Sequence, residues 1–426
     1  MIDSERRPSR REFLKYAGVG GTGVAVTTGI ATYHHWHQSG IVDTDGTTGL
    51  IATWQRDPTT TMTIDWHAMA HHEAEPVLEY APTDTDDWRE VSGEGWPFPN
   101  TTRTVQRVEL TGLSPDTRYD VRLPEFDEEF SIRTMPTAIS PDDPLLFATG
   151  GDTMHAWQML RQTNEVVRAY DLDFIQWGGD LAYADASPYG TVEWFDWFAV
   201  NKHTLIRDDD RLIPIVVGIG NHETAEGYVH DYPDYEQTAD FRSQMAPYFY
   251  DLFAFPGQPG YGVLDFGDYL SLVVLDSGHT NPLEGTQTDW LADRLAERTD
   301  VDHLIPSYHV PAYPSHRNFD GRVSTQVRDL WVPLLEAHGV SLALEHHEHL
   351  YHRTVPIRNG EPAADGIVFM GDGAWGTRLR AGDQTDRWYV DEHRRKRHAM
   401  VCQLDGSTVT VEAIDGDRTT FDRFEV

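Results

Sequence analysis

Cysteine is nearly absent from this 426-residue chain, in which Cys402 is the only one. A single cysteine cannot form a disulfide within the chain, so no disulfide framework supports the fold in any compartment. Cys402 falls in an alternating stretch near the C-terminus that predicts a β-strand. We expect it to be a buried apolar side chain there.

Lysine is the second scarce residue, since it occurs only at positions 15, 202 and 396. The chain has 34 basic and 69 acidic residues, which gives a formal net charge of −35. This balance argues against nucleic acid or an anionic membrane as a partner. Aromatic residues make up 11% of the chain, so the charge belongs to a folded surface rather than to a disordered chain. An acidic, lysine-poor surface is typical of proteins from salt-loving organisms, where molar salt screens self-repulsion.

A long, uninterrupted apolar run is also missing. The nearest approach is a Gly- and Thr-rich stretch over residues 16–33, whose length of about 18 residues is the lower limit for spanning a bilayer. Residues 9–15 (SRREFLK) resemble a twin-arginine export signal. We interpret residues 1–40 as this signal and a linker, with the twin-arginine translocase as partner and the cell exterior or the outer face of the membrane as destination. No clean Ala-x-Ala cleavage site follows, so an uncleaved anchor stays open.

Residues 41–137 show the period-two apolar alternation of short β-strands. Predicted strands lie at 50–54, 62–66, 105–110, 119–123 and 130–133, and this spacing indicates a β-sandwich. Residues 113–119 (LSPDTRY) resemble the corner before a late strand in fibronectin type III domains, where the tyrosine ring packs in the core. We therefore expect an N-terminal all-β sandwich of that type.

Residues 138–426 show a different pattern of apolar residues, and a linker over residues 136–144 with three prolines precedes it. Predicted strands lie at 145–148, 174–177, 213–217, 270–275, 303–306, 340–344 and 367–370, with predicted helices at 158–169 and 290–298. Alternating strands and helices indicate an α/β fold, in which ligands bind at the carboxyl ends of the strands. Beyond Met400 the period-two alternation returns and predicts closing antiparallel strands.

Five polar motifs directly follow predicted strands: Gly151-Asp152, Gly179-Asp180-Leu181-Ala182-Tyr183, Gly220-Asn221-His222-Glu223, His309 and His347-Glu348-His349. Two cations about 3.5–4 Å apart need a bridging carboxylate, further oxygen ligands and imidazoles, and Asp180 is the natural bridge. Taken singly, an Asp after a Gly is more often a turn residue. Tyr183 would fit a core aromatic if it did not lie three residues after a Gly-Gly-Asp at a strand end, so we interpret it as a ligand. The two histidines of the last motif leave the same face of an extended segment. The ordered set favours a dinuclear metal site.

This order of motifs resembles that of the purple acid phosphatases within the metallophosphoesterases. The resemblance covers nearly the whole chain after residue 40, because those enzymes also place a fibronectin-like β-domain before the catalytic domain. It implies an α/β fold class in which the all-β sandwich is followed by a two-sheet α/β/β/α metallophosphoesterase domain over residues 138–426.

The resemblance also implies two metal ions. The first would be Fe³⁺, a hard ion suited to a phenolate, held by Asp152, Asp180, Tyr183 and His349. The second would be Zn²⁺, Mn²⁺ or Fe²⁺, held by Asp180, Asn221, His309 and His347. The implied reaction is in-line attack of a metal-bound hydroxide on a phosphate ester, without a phosphoenzyme.

Three further residues receive roles from the same resemblance. His222 would hydrogen-bond the phosphoryl oxygens, and Glu223 would orient His222. His316 would protonate the leaving alkoxide, with an exposed loop histidine as the ordinary alternative.

The chain departs from the family pattern at two positions where glycine is usual, because Met154 and His346 stand there. Met154 would narrow the site on the first-metal side, and a rearranged loop would offer His155 as a ligand, although Asp152 stays the default. His346 and His352 are expected to lie behind the ligands or at the surface. Packing rather than catalysis is expected of Trp157, Trp194, Trp197 and Trp375.

The leading hypothesis is an exported phosphomonoesterase that acts on small phosphorylated substrates. A phosphodiesterase with the same metals and a wider cleft is the second. A cell-surface binding protein that uses the β-domain is the alternative from another class, and the complete ligand set argues against it. The sequence leaves the substrate, the second metal and the oligomeric state open.

Overall fold

The computed structural model describes residues 47–68, 75–225, 227–232, 235–381 and 386–426. The predicted export signal, the apolar stretch after it and the linker to residue 40 lie outside the described residues. Within the described ranges, no helix is both long and apolar enough to cross a membrane.

The N-terminal part consists of two four-stranded antiparallel sheets. One sheet has the order Leu50–Thr53, Thr61–Ala68, Thr104–Thr111 and Glu94–Pro97. The other has the order Arg89–Ser92, Val77–Pro82, Arg118–Leu123 and Glu128–Arg133. All five predicted strands are present, and their buried side chains share one apolar core. At the predicted corner, Tyr119 is buried and its hydroxyl oxygen accepts the Ser114 backbone N–H at 2.8 Å. The fibronectin type III assignment itself stays a prediction.

Two larger mixed sheets form the rest of the protein. The six-stranded sheet has the order Ile215–Val217, Phe174–Trp177, Leu145–Gly150, His398–Leu404, Val409–Asp415 and Thr420–Glu425. The seven-stranded sheet has the order Gly262–Phe266, Leu270–Val274, His303–Tyr308, Leu342–Glu345, Val368–Gly371, Tyr351–Thr354 and Val390–Arg394. A two-stranded hairpin joins Ile357–Arg358 to Glu361–Pro362. Every strand predicted after residue 138 is present, and Cys402 is buried in the predicted C-terminal strand.

The α-helices comprise Trp157–Val167, Thr191–Leu205, Ala239–Met245, Phe249–Leu252, Thr286–Ala296, Arg322–Gln326 and Val332–Ala337. A π-helical turn, Val327–Trp331, and two 3₁₀ turns, Asn221–Glu223 and Val229–Asp231, complete the described helical segments. The two predicted helices are present, and the second begins earlier than predicted, at Thr286. Trp194 and Trp197 of the helix Thr191–Leu205 are fully buried, as is Trp375, which confirms their packing role.

The β-sandwich packs directly onto the two larger sheets. The Trp54 indole meets the rings of Phe174 and Phe266 edge-on, with centroids 6.0 and 5.5 Å apart. One of the three lysines, Lys202, donates from its ammonium to the Thr47 carbonyl and to the Glu128 carboxylate. Apolar packing and a charged clamp therefore hold the two parts together.

The polar motifs that follow the strands lie close together because the central strands of both large sheets are parallel. In the six-stranded sheet Phe174–Trp177 pairs in parallel with both of its neighbours. In the seven-stranded sheet His303–Tyr308 and Leu342–Glu345 run parallel to each other. Their carboxyl ends lie on one side of the molecule, where an α/β fold binds its ligands.

Candidate metal centre

Five of the seven predicted metal ligands have a left-handed backbone. The positive φ angles are 55° for Asp152, 53° for Asp180, 56° for Tyr183, 73° for His347 and 59° for His349. Each such conformation costs a non-glycine residue about 1–3 kcal/mol and persists only where its surroundings enforce it. The concentration of strained residues at these strand ends marks a functional site.

Four of the predicted ligands form a buried quartet. Ligand atoms of Asp152, Asp180, His309 and His347 all lie within 4.8 Å of one another. The Nε2 atom of His309 lies 3.1 Å from Asp180 Oδ2 and 3.0 Å from His347 Nδ1. Imidazole nitrogens and carboxylate oxygens therefore converge on one small volume, as a metal site requires.

Tyr183 and His349 complete the side of the site next to Asp152. The Tyr183 hydroxyl donates to Asp152 Oδ1 at 2.8 Å, and His349 Nε2 lies 2.7 Å from the same oxygen. Burial and the charges of Asp152 and Asp180 raise the pKa of Tyr183 well above its ordinary value. A phenolate at this position thus needs a cation beside it.

Two buried oxygens of the site have no hydrogen-bond partner among the described residues, namely Asp180 Oδ2 and Asn221 Oδ1. Asp180 Oδ2 lies 3.1 Å from His309 Nε2, but these two atoms do not form a hydrogen bond. An unsatisfied buried polar group costs about 1–3 kcal/mol. Two orphaned oxygens of the predicted bridging and amide ligands fit coordination to cations, so the residues present suit a metal centre.

Backbone carbonyls orient two of the histidine rings. The Nδ1 atom of His309 lies 2.9 Å from the Gly178 carbonyl oxygen, and that of His349 lies 3.1 Å from the Arg378 carbonyl oxygen. An Nδ1–H that donates to a carbonyl leaves Nε2 with its lone pair free to bind a metal. Both Nε2 atoms face the carboxylates of the site.

Glu223 has a structural role that the sequence did not predict. Its carboxylate accepts the backbone N–H groups of Asp180 at 2.8 Å, Leu181 at 2.7 Å and Gly220 at 2.7 Å. It therefore fixes the loop that carries Asp180. No hydrogen bond joins Glu223 to His222 among the described residues, so the orientation of His222 by Glu223 stays a prediction.

Asp185 orients His222. The Asp185 Oδ1 atom lies 2.5 Å from His222 Nδ1, and the Tyr183 ring stacks on the imidazole with centroids 4.1 Å apart. Burial alone would lower the pKa of His222, but the charge of Asp180 and the bond to Asp185 outweigh it and raise the pKa to about 9. Asp185 therefore holds the His222 ring at the edge of the site.

The structure shows where the residues that differ from the family pattern lie. His346 is fully buried and its Nδ1 lies 2.6 Å from Asp372 Oδ1, so it lies behind the ligands and not at the surface. His352 is also buried. Met154 is buried in the loop next to Asp152, whereas His155 is exposed and meets the Tyr183 ring edge-on at 5.8 Å. His155 is not part of the buried quartet, and Asp152 is.

His316 is half-buried in the loop after His309. Its backbone N–H donates to the buried carboxylate of Glu348, which also accepts the Ser315 hydroxyl at 3.3 Å. Glu348 thereby ties this loop to the His347–His349 segment. The proposed acid role of His316 stays a prediction, since its described contacts are with Glu348 rather than with the ligands.

Sequence reasoning missed four residues around the ligands. Asp185 and Glu348 are the anchors described above, and Tyr228 and Arg317 both contact His347. The Tyr228 hydroxyl lies 3.4 Å from His347 Nε2, and Arg317 Nη2 lies 3.4 Å from His347 Nδ1. Of the four, Asp185 was the easiest to find from the sequence, because it follows Tyr183 by two residues within the same motif.

Comparisons with known proteins agree with this geometry. The family model for the purple acid phosphatase N-terminal domain matches residues 47–134, and that for calcineurin-like phosphoesterases matches residues 150–351. An uncharacterized protein of Mycobacterium tuberculosis is 26% identical over 399 residues, which cover 82% of this chain and 72% of that protein. Purple acid phosphatase 21 of Arabidopsis thaliana is 27% identical over 276 residues, or 63% of this chain and 58% of that one.

A solved structure shares the fold. The purple acid phosphatase PPD1 from yellow lupin (Lupinus luteus) seeds superimposes with a TM-score of 0.74 over 88% of this chain and 73% of that chain, at 16% identity. The matched models, the shared fold and the buried ligand cluster make this chain similar to the purple acid phosphatases and to the calcineurin-like phosphoesterases. These similarities imply a metal-dependent phosphoesterase with a dinuclear metal centre.

Proposed function

We propose that this protein is an exported phosphatase that hydrolyses phosphate monoesters at a dinuclear metal centre. The observation that carries the proposal is the convergence of Asp152, Asp180, His309 and His347 within 4.8 Å, together with the orphaned oxygens of Asp180 and Asn221. A binding protein that used the fold only as a scaffold would have no need of this strained, buried and incompletely satisfied cluster.

Two sets of residues would hold the metals. Asp152, Asp180, Tyr183 and His349 form the oxygen-rich set, which suits Fe³⁺. Asp180, Asn221, His309 and His347 form the mixed set, which suits Zn²⁺, Mn²⁺ or Fe²⁺. When bound, the two ions supply a hydroxide nucleophile at neutral pH and neutralise charge on the phosphoryl oxygens.

The protein's own groups position the substrate and move its protons. His222 is held as a donor by Asp185, so it binds a phosphoryl oxygen as negative charge develops there. Glu223 keeps the Asp180 loop rigid through its three backbone hydrogen bonds. His316 is the candidate acid that protonates the leaving alkoxide, because its loop is anchored beside His347 by Glu348.

The proposal also covers where the protein acts and what size of substrate it takes. The twin-arginine signal in residues 9–15 directs the folded, metal-loaded protein to the cell exterior or the outer membrane face. The net charge of −35 disfavours nucleic acid and leaves small phosphorylated molecules as substrates. A phosphodiesterase with the same metals is the second candidate.

The test measures hydrolysis of p-nitrophenyl phosphate and bis-p-nitrophenyl phosphate in high salt by the metal-loaded protein. We expect the monoester to be hydrolysed with the higher kcat/KM, and Asp180→Asn to lower that value at least 100-fold. Asp208→Asn, whose side chain is 98% exposed, is the matched control and should retain full activity. A higher kcat/KM on the diester would favour the diesterase, and equal activity in Asp180→Asn would refute the proposed site.

A further inference from the structure

The loop over residues 183–187, which we call the Tyr183 loop, has a strained backbone. Three of its residues have positive φ angles, 56° at Tyr183, 52° at Asp185 and 48° at Ala186. Residues other than glycine keep such angles only where the surrounding structure enforces them. Inside the loop, the Ser187 N–H donates to the Ala184 carbonyl at 2.9 Å. One local hydrogen bond adds little to hold three strained residues, so we expect support from segments that pack against the loop.

Two side chains outside the loop provide this support at the Ser187 carbonyl. The Tyr248 hydroxyl donates to that carbonyl at 2.8 Å, and the Asn100 side-chain amide lies 3.1 Å from the same hydroxyl oxygen. Because the one hydroxyl hydrogen goes to Ser187, the oxygen accepts from the Asn100 amide. Tyr248 is fully buried and Asn100 belongs to the β-sandwich. Two consecutive hydrogen bonds thus join the β-sandwich to the Tyr183 loop, and such chains strengthen each bond in them.

The turn of the β-sandwich that carries Asn100, residues 98–103, is held on both sides. Across the turn, the Phe98 N–H donates to the Arg103 carbonyl at 2.9 Å. The buried Phe98 ring packs edge-on against the Phe195 ring with centroids 5.4 Å apart, and the Arg103 guanidinium lies 3.6 Å from the centroid of the same ring. Ring packing and a cation–π contact therefore fix the turn on its neighbour. Asn100 is presented from a rigid support.

The Tyr183 loop carries two groups on which the candidate site depends. The Tyr183 hydroxyl donates to Asp152 Oδ1 at 2.8 Å. Asp185 contacts His222 twice, because its N–H donates to the His222 carbonyl at 3.0 Å and its Oδ1 lies 2.5 Å from the ring Nδ1. A shift of this loop would move the predicted ligand and the partner of His222 together. Catalytic groups need to be held within about 0.5 Å of their productive positions.

We propose that Asn100 and Tyr248, which we call the positioning pair, let the β-sandwich hold the Tyr183 loop in its strained conformation. The β-sandwich is then a part of the active site and not only its neighbour. Both members are positioning residues, since they act on Tyr183 and His222 through the loop. The effect on catalysis rests on the proposed phosphatase function, and the effect on the loop backbone does not.

The first test measures amide hydrogen exchange of residues 183–190 by mass spectrometry on the full-length, metal-free protein. We expect Asn100→Ala and Tyr248→Phe each to accelerate this exchange about 10-fold, since each removes one bond of the chain. The double variant should be little faster than either single variant, because the two bonds act in series.

Two controls separate the positioning pair from a general loosening of the protein. Tyr250→Phe removes a nearby tyrosine hydroxyl that bonds to Thr280 at 2.6 Å, and Trp96→Phe removes a bond from the β-sandwich to the Asp251 carbonyl at 3.1 Å. Neither bond ends in the Tyr183 loop, so both controls should exchange residues 183–190 at the wild-type rate.

The second test uses the metal-loaded protein. We expect Tyr248→Phe to shift the tyrosinate-to-iron band of Tyr183 and to lower kcat for p-nitrophenyl phosphate about 5- to 10-fold, with both values unchanged in Tyr250→Phe. A merely structural role would lower the guanidinium midpoint without moving the band. Tyr248→Phe keeps the buried ring, so it decides the result if Asn100→Ala does not fold.

The outcomes distinguish the inference from the proposed function. Wild-type exchange of residues 183–190 in Tyr248→Phe, or the same acceleration in Trp96→Phe, overturns the inference and leaves the phosphatase intact. Faster exchange with an unmoved band and unchanged kcat also overturns it. A wild type that hydrolyses no phosphate ester refutes the proposed function instead, and exchange in the metal-free protein still decides whether the positioning pair holds the loop.

Discussion

Gly178 and His346 provide a strong test of packing beneath the metal centre. A Cβ atom on Gly178 would lie 1.8 Å from Cδ2 and 1.9 Å from Nε2 of the His346 ring. Carbon atoms prefer separations of about 3.5–4.0 Å, so the ring would have to move by roughly 2 Å. It cannot do so easily, because it is fully buried and bonded to Asp372.

We therefore expect Gly178→Ala to lower the free energy of unfolding by about 3 kcal/mol or more, through overpacking and disruption of the buried His–Asp pair. His346→Gly restores the glycine that is usual in the family and removes the clash. In that background Gly178→Ala should cost less than about 1 kcal/mol, which makes the two positions strongly coupled.

The assay is guanidinium denaturation of the metal-free protein, followed by tryptophan fluorescence, for the two single variants and the double variant. Gly218→Ala is the matched control, since a Cβ there meets its nearest atoms at an ordinary 3.5 Å. Equal costs of Gly178→Ala in the two backgrounds would show that the His346 ring does not occupy the space beside Gly178, and would refute the reasoning.

Three further predictions follow from the contacts around the site. Asp185→Asn removes a bond that raises the pKa of His222, so the alkaline limb of the pH–kcat/KM profile should move to lower pH, and an unmoved limb would contradict the role of Asp185. Glu348→Gln weakens the anchor of Ser315, His316 and Arg317, so KM for phosphate esters should rise several-fold, and an unchanged KM would exclude this anchoring. Trp54→Ala should cost about 3–5 kcal/mol in denaturation, whereas Trp54→Phe should cost far less, because the indole N–H has no partner among the described residues, and equal costs would refute the packing argument.

Much of the fold could be predicted because its strands are short apolar runs with turn residues between them. The strands Val77–Pro82, Gly262–Phe266, Tyr351–Thr354 and Val390–Arg394 were not predicted. Three other differences have physical reasons. Arg89–Ser92 and Glu94–Pro97 are largely exposed and lack an apolar face, so no alternation marked them. The strand predicted from residue 213 begins at Ile215, because Pro214 has no N–H to give to a ladder.

The sequence predicted those ligands of the candidate site that come shortly after the ends of strands. The strands were predicted from the sequence, and each is followed within a few residues by one or more of these ligands: Asp152, Asp180, Tyr183, His309, His347 and His349. Tyr228 and Arg317 could not be found this way, because they come from irregular segments that only the tertiary fold brings to His347. The hydrogen bonds of Glu223 to three backbone N–H groups were not predicted for a similar reason, since backbone partners leave no signal in a sequence.

The most direct test of the dinuclear site is the metal stoichiometry of the folded protein, measured by elemental analysis together with its visible absorption. We expect two metal ions per chain, a tyrosinate-to-iron band that disappears in Tyr183→Phe, and loss of metal in Asp180→Asn. Tyr189→Phe, with its ring 55% exposed, should keep both the band and the metal. A folded wild type with no bound metal, or an Asp180→Asn variant with the full complement, would contradict the assignment of this site.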